Sequence, residues 1–270
     1  MKHLGALVFV IACGPTARHS PDGGDTHGDA PAQHDGPALT GDSPATGPVH
    51  VVITADNAYS FGYGDAASIT HFTQGTRATT AGDIFNCPVG VGPEQYTIPE
   101  ADAPVGSYLY IVSWDDHAVT QGVIGQFTRD TGTITTGDAP FEVCATGLDY
   151  VSGADATNGP SQAIINQQIA ICNAGSGDAT TSRGWVNATG ATTAGAIGQL
   201  AIGEANDVNT GAFQLVCQPT ANTPGISSTA KWMWYDPMDG QPGDAFHSNG
   251  TNRFKAFLIF RLSAATIVIE

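Results

Sequence analysis

The chain has 270 residues, of which 13% are charged and 41% hydrophobic, with 34 Gly and 16 Pro. Nine Lys and Arg stand against 25 Asp and Glu, a net charge of −16. Such a field repels phosphate backbones and anionic headgroups and excludes nucleic acid as a partner. The hydrophobic share excludes a chain disordered throughout. Thr, Val and Ile runs cut by glycine point to strands joined by turns.

The chain opens on Met1-Lys2-His3 and an apolar stretch, Leu4–Ile11, too short to cross a bilayer. Residues 1–12 read as a signal peptide. Val10-Ile11-Ala12-Cys13 resembles the lipobox of bacterial lipoproteins, in which a small residue precedes the lipidated cysteine. The resemblance implies cleavage before Cys13, diacylglycerol on its sulfur, and a place in the bacterial cell envelope, held by lipid without a membrane-spanning helix. Residues 13–48 follow as a tether of Gly, Pro, Asp, Ala, His and Thr with almost no large apolar residue. That composition cannot offset chain entropy, and disorder is expected. His19, His27 and His34 sit there among aspartates; their expected role is to be part of the tether, rather than metal ligands.

From Val49 the texture changes. β-branched and aromatic runs at Val49–Ala55, Tyr59–Tyr63, Tyr108–Trp114, Gly122–Thr128, Lys231–Tyr235 and Phe257–Leu262 read as strands, and the chain closes on Thr266–Ile269. One segment, Pro160–Ile171, has near-helical apolar spacing, with Pro160 placed for a first turn and Gly175 just past the end. It lies in an expected insertion from about 145 to 216. Strands at intervals with one short helix predict a mainly β chain, an antiparallel β-sandwich filling residues 49–270. Without Cys13 four cysteines remain, Cys87, Cys144, Cys172 and Cys217, an even number that suggests two disulfides in any of three pairings.

Thr54-Ala55-Asp56-Asn57-Ala58-Tyr59, the strand ending in Trp114-Asp115-Asp116, Trp232-Met233-Trp234 and Phe260-Arg261 are similar to pieces of the galactose-binding-like β-sandwich modules of secreted bacterial proteins. Here the last two pieces follow the first instead of preceding it, as in a circular permutation. The resemblance implies the sandwich, and an ordering role for Asp56-Asn57 within its hairpin.

Asp115 and Asp116 follow the strongest strand, where sandwiches place binding residues, and carboxylates there suit Ca²⁺ or sugar hydroxyls. A solvated turn is the plainer use of such a pair. Asp236, Asp239 and Asp244 form an acidic, turn-rich loop of calcium-loop composition without calcium-loop spacing. Trp232 and Trp234 share one strand face and are expected in the core. Trp185, with no apolar pattern around it, is expected to be exposed and free to stack on a sugar. No nucleophile elbow, zinc-protease motif or P-loop is present in the sequence. The expected function is a surface module that binds a glycan or a partner through Asp115, Asp116 and Trp185, with Ca²⁺ as a candidate stabiliser. A structural envelope protein and a two-carboxylate glycoside hydrolase are the alternatives.

Overall fold

The computed structural model describes residues 47–86, 93–114, 120–149, 159–175, 184–207, 213–239, 244–247 and 256–267, all within the unit Asp42–Glu270. Cys13, Cys87, Asp115 and Asp116 lie outside the described residues.

Thirteen strands are described: β1 Val49–Asp56, β2 Ala58–Gly64, β3 Ile69–Arg77, β4 Glu94–Ile98, β5 Tyr108–Trp114, β6 Gly122–Arg129, β7 Gly132–Thr135, β8 Glu142–Asp149, β9 Val186–Asn187, β10 Gly190–Ala191, β11 Gln199–Ala205, β12 Lys231–Asp236 and β13 Ala256–Ser263. They make two antiparallel sheets. The first runs β11-β12-β6-β1-β4 with β7 also against β6, and the second β10-β9-β8-β13-β5-β2-β3. Two helices accompany them, the single turn α1, Gly82–Phe85, and α2, Gln162–Ala174.

The second sheet is covered on both faces. Tyr59, Phe61, Leu109, Ile111, Val143, Leu258 and Phe260 join Val51, Ile53, Val123, Phe127 and Trp234 of the first sheet in one buried cluster. The alternate residues Tyr110, Val112, Trp114, Cys144, Phe257 and Ile259 pack instead with Ile165, Ile169 and Cys172 of α2. That second cover explains why Tyr108–Trp114 and Phe257–Leu262 lack the apolar–polar alternation of a sheet with one wet face. Three layers result: sheet, sheet, helix.

Helix α2 presents Ile165, Ile169 and Cys172, at i, i+4 and i+7, to the sheet. It ends where Gly175 takes a left-handed conformation, φ 62°, and its N–H bonds the Cys172 and Ile171 carbonyls. A disulfide joins Cys172 to Cys144 on the outer face of β8. Cys217 is disulfide-bonded too, and its N–H donates to the Phe85 carbonyl at 3.2 Å.

The stretch from 145 to 216 holds most of β8, and β9 to β11, which extend both sheets. After β13 comes a 3-10 turn, Ala264–Thr266, with Ile267 buried and the Ala264 N–H donating to the Ser107 carbonyl at 3.0 Å; Val268 and Ile269 lie outside the described residues.

Candidate functional site

Strand register sorts the candidate residues by end. Asp56 pairs with Gly122, and Ala58 with Trp114, while Met233 pairs with Val123. The connections after β5 and after β12 therefore leave the same end of the sandwich. Asp236 sits there at the end of β12, its Oδ1 accepting the Met238 N–H at 2.9 Å. Asp244 uses Oδ1 for the Phe246 N–H, 2.9 Å, and Oδ2 for His247 Nδ1, 2.8 Å. Asp239 is exposed. These are turn-closing bonds. Among the described residues no group of three or more His, Cys, Asp or Glu is arranged to hold a metal ion.

The expected exposure of Trp185 is corrected: it is 1% exposed. The Arg261 guanidinium lies 3.8 Å from its ring centroid, and its Nε1 donates to Asn173 Oδ1 at 2.7 Å. Arg261 also donates through Nε to Glu142 Oε2, 2.6 Å, and through Nη1 to Asn173 Oδ1, 3.1 Å. The indole is a platform for this chain's own cation. Its partners come from β13, β8 and α2, so no local pattern around residue 185 reveals them. Trp232 and Trp234 are buried as expected, Trp232 stacked on Phe213 at 4.0 Å.

An open cleft of about 390 Å³ lies at the opposite end of β5, roughly 20 Å away by the rise of a seven-residue strand. One wall is the β2–β3 turn with Asp65, Thr70 and His71; the other is the β4–β5 connection with Asp102, Val105 and Ser107. Tyr63 ties the walls together. Its ring stacks on His71, centroids 4.6 Å apart and 15° from parallel, and its hydroxyl bonds the Asp102 carboxylate. Burial first, and the Asp102 charge second, push the Tyr63 phenol up from its ordinary value.

Both walls are held from behind. Asp65 Oδ1 accepts the N–H groups of Ala67 and Ser68, each at 2.8 Å, and Tyr110 Oη donates to the Asp65 carbonyl at 2.6 Å. Burial raises the Tyr110 phenol above its ordinary value, which keeps that donor protonated. From α2, Asn173 Nδ2 donates to the Ala66 carbonyl at 2.7 Å. Across the cleft, Ser107 donates through N and Oγ to the Pro104 carbonyl, 3.0 and 2.8 Å. Arg129, 2% exposed, donates through Nη2 to the Ala103 carbonyl at 2.5 Å. Its burial lowers the guanidinium from its usual value against the pull of Asp130 and Glu100. Short loops fixed at this many points form a site with little freedom to lose on binding.

The sequence singled out none of the cleft residues for binding. The local sign is Gly64-Asp65 just after the strand pattern Tyr59–Tyr63, a turn signal; the opposing wall is some 35 residues away in sequence. No family model, curated protein or solved structure matches the chain.

Proposed function

We propose that this chain is an exported lipoprotein of the bacterial cell envelope, anchored through Cys13, whose β-sandwich binds an extracellular glycan. The glycan site is the cleft between Asp65–His71 and Asp102–Ser107. The observation that carries this reading is the cleft itself: a concave site with Pro104 and Val105 at its edge and a few fixed polar groups, Asp65, His71 and Asp102. Hydroxyl-rich ligands suit carboxylates that accept hydrogen bonds. The lipobox-like Val10–Cys13 and the Gly/Pro-rich segment up to residue 48 support an anchored domain with reach beyond the headgroups. Ca²⁺ assistance draws no support from Asp236, Asp239 and Asp244.

A structural protein assembling through sheet edges is less well supported. At the start of edge strand β3, the outward N–H and carbonyl of Ile69 are already taken by Asn166.

The test is a glycan array followed by calorimetry on the full lipidated chain in detergent, with Ca²⁺ and again with a chelator. Binding that persists in chelator and is lost in His71→Ala and Val105→Arg supports the cleft. An array with no bound glycan would overturn the reading.

A further inference from the structure

We infer that the glycan taken by the cleft carries a free primary ammonium, as in a de-N-acetylated hexosamine, and is selected by that charge. The inference rests on the glycan-binding reading and adds the charge of the ligand.

Asp65 and Asp102 both line the cleft, while among the described residues no Lys or Arg does. The two carboxylates are differently engaged. Asp65 commits Oδ1 to the backbone of its own turn, and none of its bonds among the described residues uses Oδ2. Asp102 accepts from Tyr63, whose phenol is held protonated by burial and by that same carboxylate.

A neutral sugar entering this cleft strips water from two carboxylates and returns only hydroxyl hydrogen bonds. A sulfated or uronic sugar adds like-charge repulsion to that loss. An ammonium offsets it, giving N⁺–H···O⁻ bonds about twice as strong as neutral ones. A metal ion is the other cation for two carboxylates, yet no described group of three or more His, Cys, Asp or Glu is arranged to hold one. Pro104 and Val105, the latter 74% exposed, leave an apolar rim for the C–H face of a pyranose. The buried cation Arg129 is bonded to the Ala103 carbonyl, and Ala103 is not among the cleft-lining residues.

The experiment is calorimetry of the full lipidated chain in detergent with glucosamine oligomers and with the same oligomers N-acetylated, in low and high salt. The expected result is at least about tenfold tighter binding of the free amines, a difference of about 1.4 kcal/mol. Asp65→Asn with Asp102→Asn keeps the acceptors for the turn and for Tyr63 while removing both charges. It should bring the two affinities within about threefold, since a charge-assisted bond is reduced to a neutral one. Should that double variant not fold, Val105→Arg places a competing cation at the rim and is expected to abolish amine binding with the melting temperature unchanged.

Equal affinity for the acetylated oligomers overturns the inference, and so does a preference that survives both substitutions, which would mark diffuse attraction to an acidic chain. A neutral glycan bound in the cleft with no amine preference overturns the ammonium alone and leaves the glycan reading standing. Absence of any bound glycan overturns both.

Discussion

Asn166 meets Ile69 as a neighbouring strand would. Its Oδ1 accepts the Ile69 N–H at 2.8 Å, and its Nδ2 donates to the Ile69 carbonyl at 3.0 Å. Gln162 Nε2 adds a second donor to that carbonyl at 2.8 Å. A helix side chain thereby completes the sheet ladder at the first residue of β3 and sets the cleft wall that begins one turn earlier. Asn166→Ala leaves both Ile69 groups without Asn166 and is expected to cost about 1–3 kcal/mol. Amide exchange at Ile69 should quicken, and binding in the cleft should weaken with it. Unchanged exchange at Ile69 would show that Asn166 does not hold the wall.

The Cys144–Cys172 bond closes a loop of sequence separation 28 and fixes the helix that carries Asn166. Loop-entropy arithmetic gives it about 3.5 kcal/mol, which for a domain of this size is roughly 7–14 °C in melting temperature. Cys144→Ser with Cys172→Ser should show that drop in calorimetry. Non-reducing peptide mapping should also find the Cys217 peptide cross-linked, since that cysteine is disulfide-bonded.

Arg261 lies between the rings of Trp185 and Tyr108, 3.8 and 5.1 Å from their centroids, while its fork reaches Glu142 and Asn173. A lysine keeps the charge and loses both the planar stack and the fork. Arg261→Lys is expected to destabilise by about 1–2 kcal/mol, between a lost stack and a lost charged hydrogen bond. Trp185 emission should shift to the red as water reaches the indole.

Tyr59 and Tyr96 share a partly buried hydrogen-bond cluster with Glu94: the hydroxyls are 3.0 Å apart, and Tyr96 donates to Glu94 Oε2 at 3.0 Å. Burial is the main cause raising both phenols, and Glu94 adds to it. Tyr110 is raised by burial as well. Folded phenols that keep their protons contribute stability that is complete below about pH 10, the unfolded value. It is lost as pH climbs from there toward the folded values, because the unfolded chain then binds fewer protons. Denaturant midpoints should fall steeply above pH 10, and Tyr59→Phe with Tyr96→Phe should flatten that slope. A slope unaltered in the double variant would rule these two phenols out as its source.

Asn206 is 1% exposed and holds three groups of a long connection: Nδ2 donates to the Val216 and Ile226 carbonyls at 3.0 and 2.8 Å, and Oδ1 accepts the Val216 N–H at 2.8 Å. Asn206→Ala strands these buried groups, at a cost of about 2–4 kcal/mol. Asn206→Asp restores only the acceptor and should recover part of the loss. Urea unfolding of both variants checks the order.

The strands easiest to read were those with two buried faces. Tyr108–Trp114 and Phe257–Leu262 are apolar throughout because a sheet packs on one side and a helix on the other, and their bounds came within one residue. The helix was legible from Pro160 and Gly175, which act locally on the backbone. Edge strand β3, with Thr70, His71, Thr73 and Gln74 exposed, carried no hydrophobic signal. Trp185 misled because a cation from residue 261 decides its burial. The cleft was hidden for the same reason: Tyr63 joins Asp102 only after β2 and β5 have paired.

Strand β13 stands between β8 and β5 in the middle of the second sheet, although every other described strand precedes it in the chain. A chain emerging from the ribosome therefore carries a sheet with a vacant centre until residues 256–263 arrive. Until then β5 and β8 each offer an unpaired apolar edge, the species most prone to stick to its neighbours. Maturation of this domain should wait on its final strand and be slow, as for folds built from distant pairings.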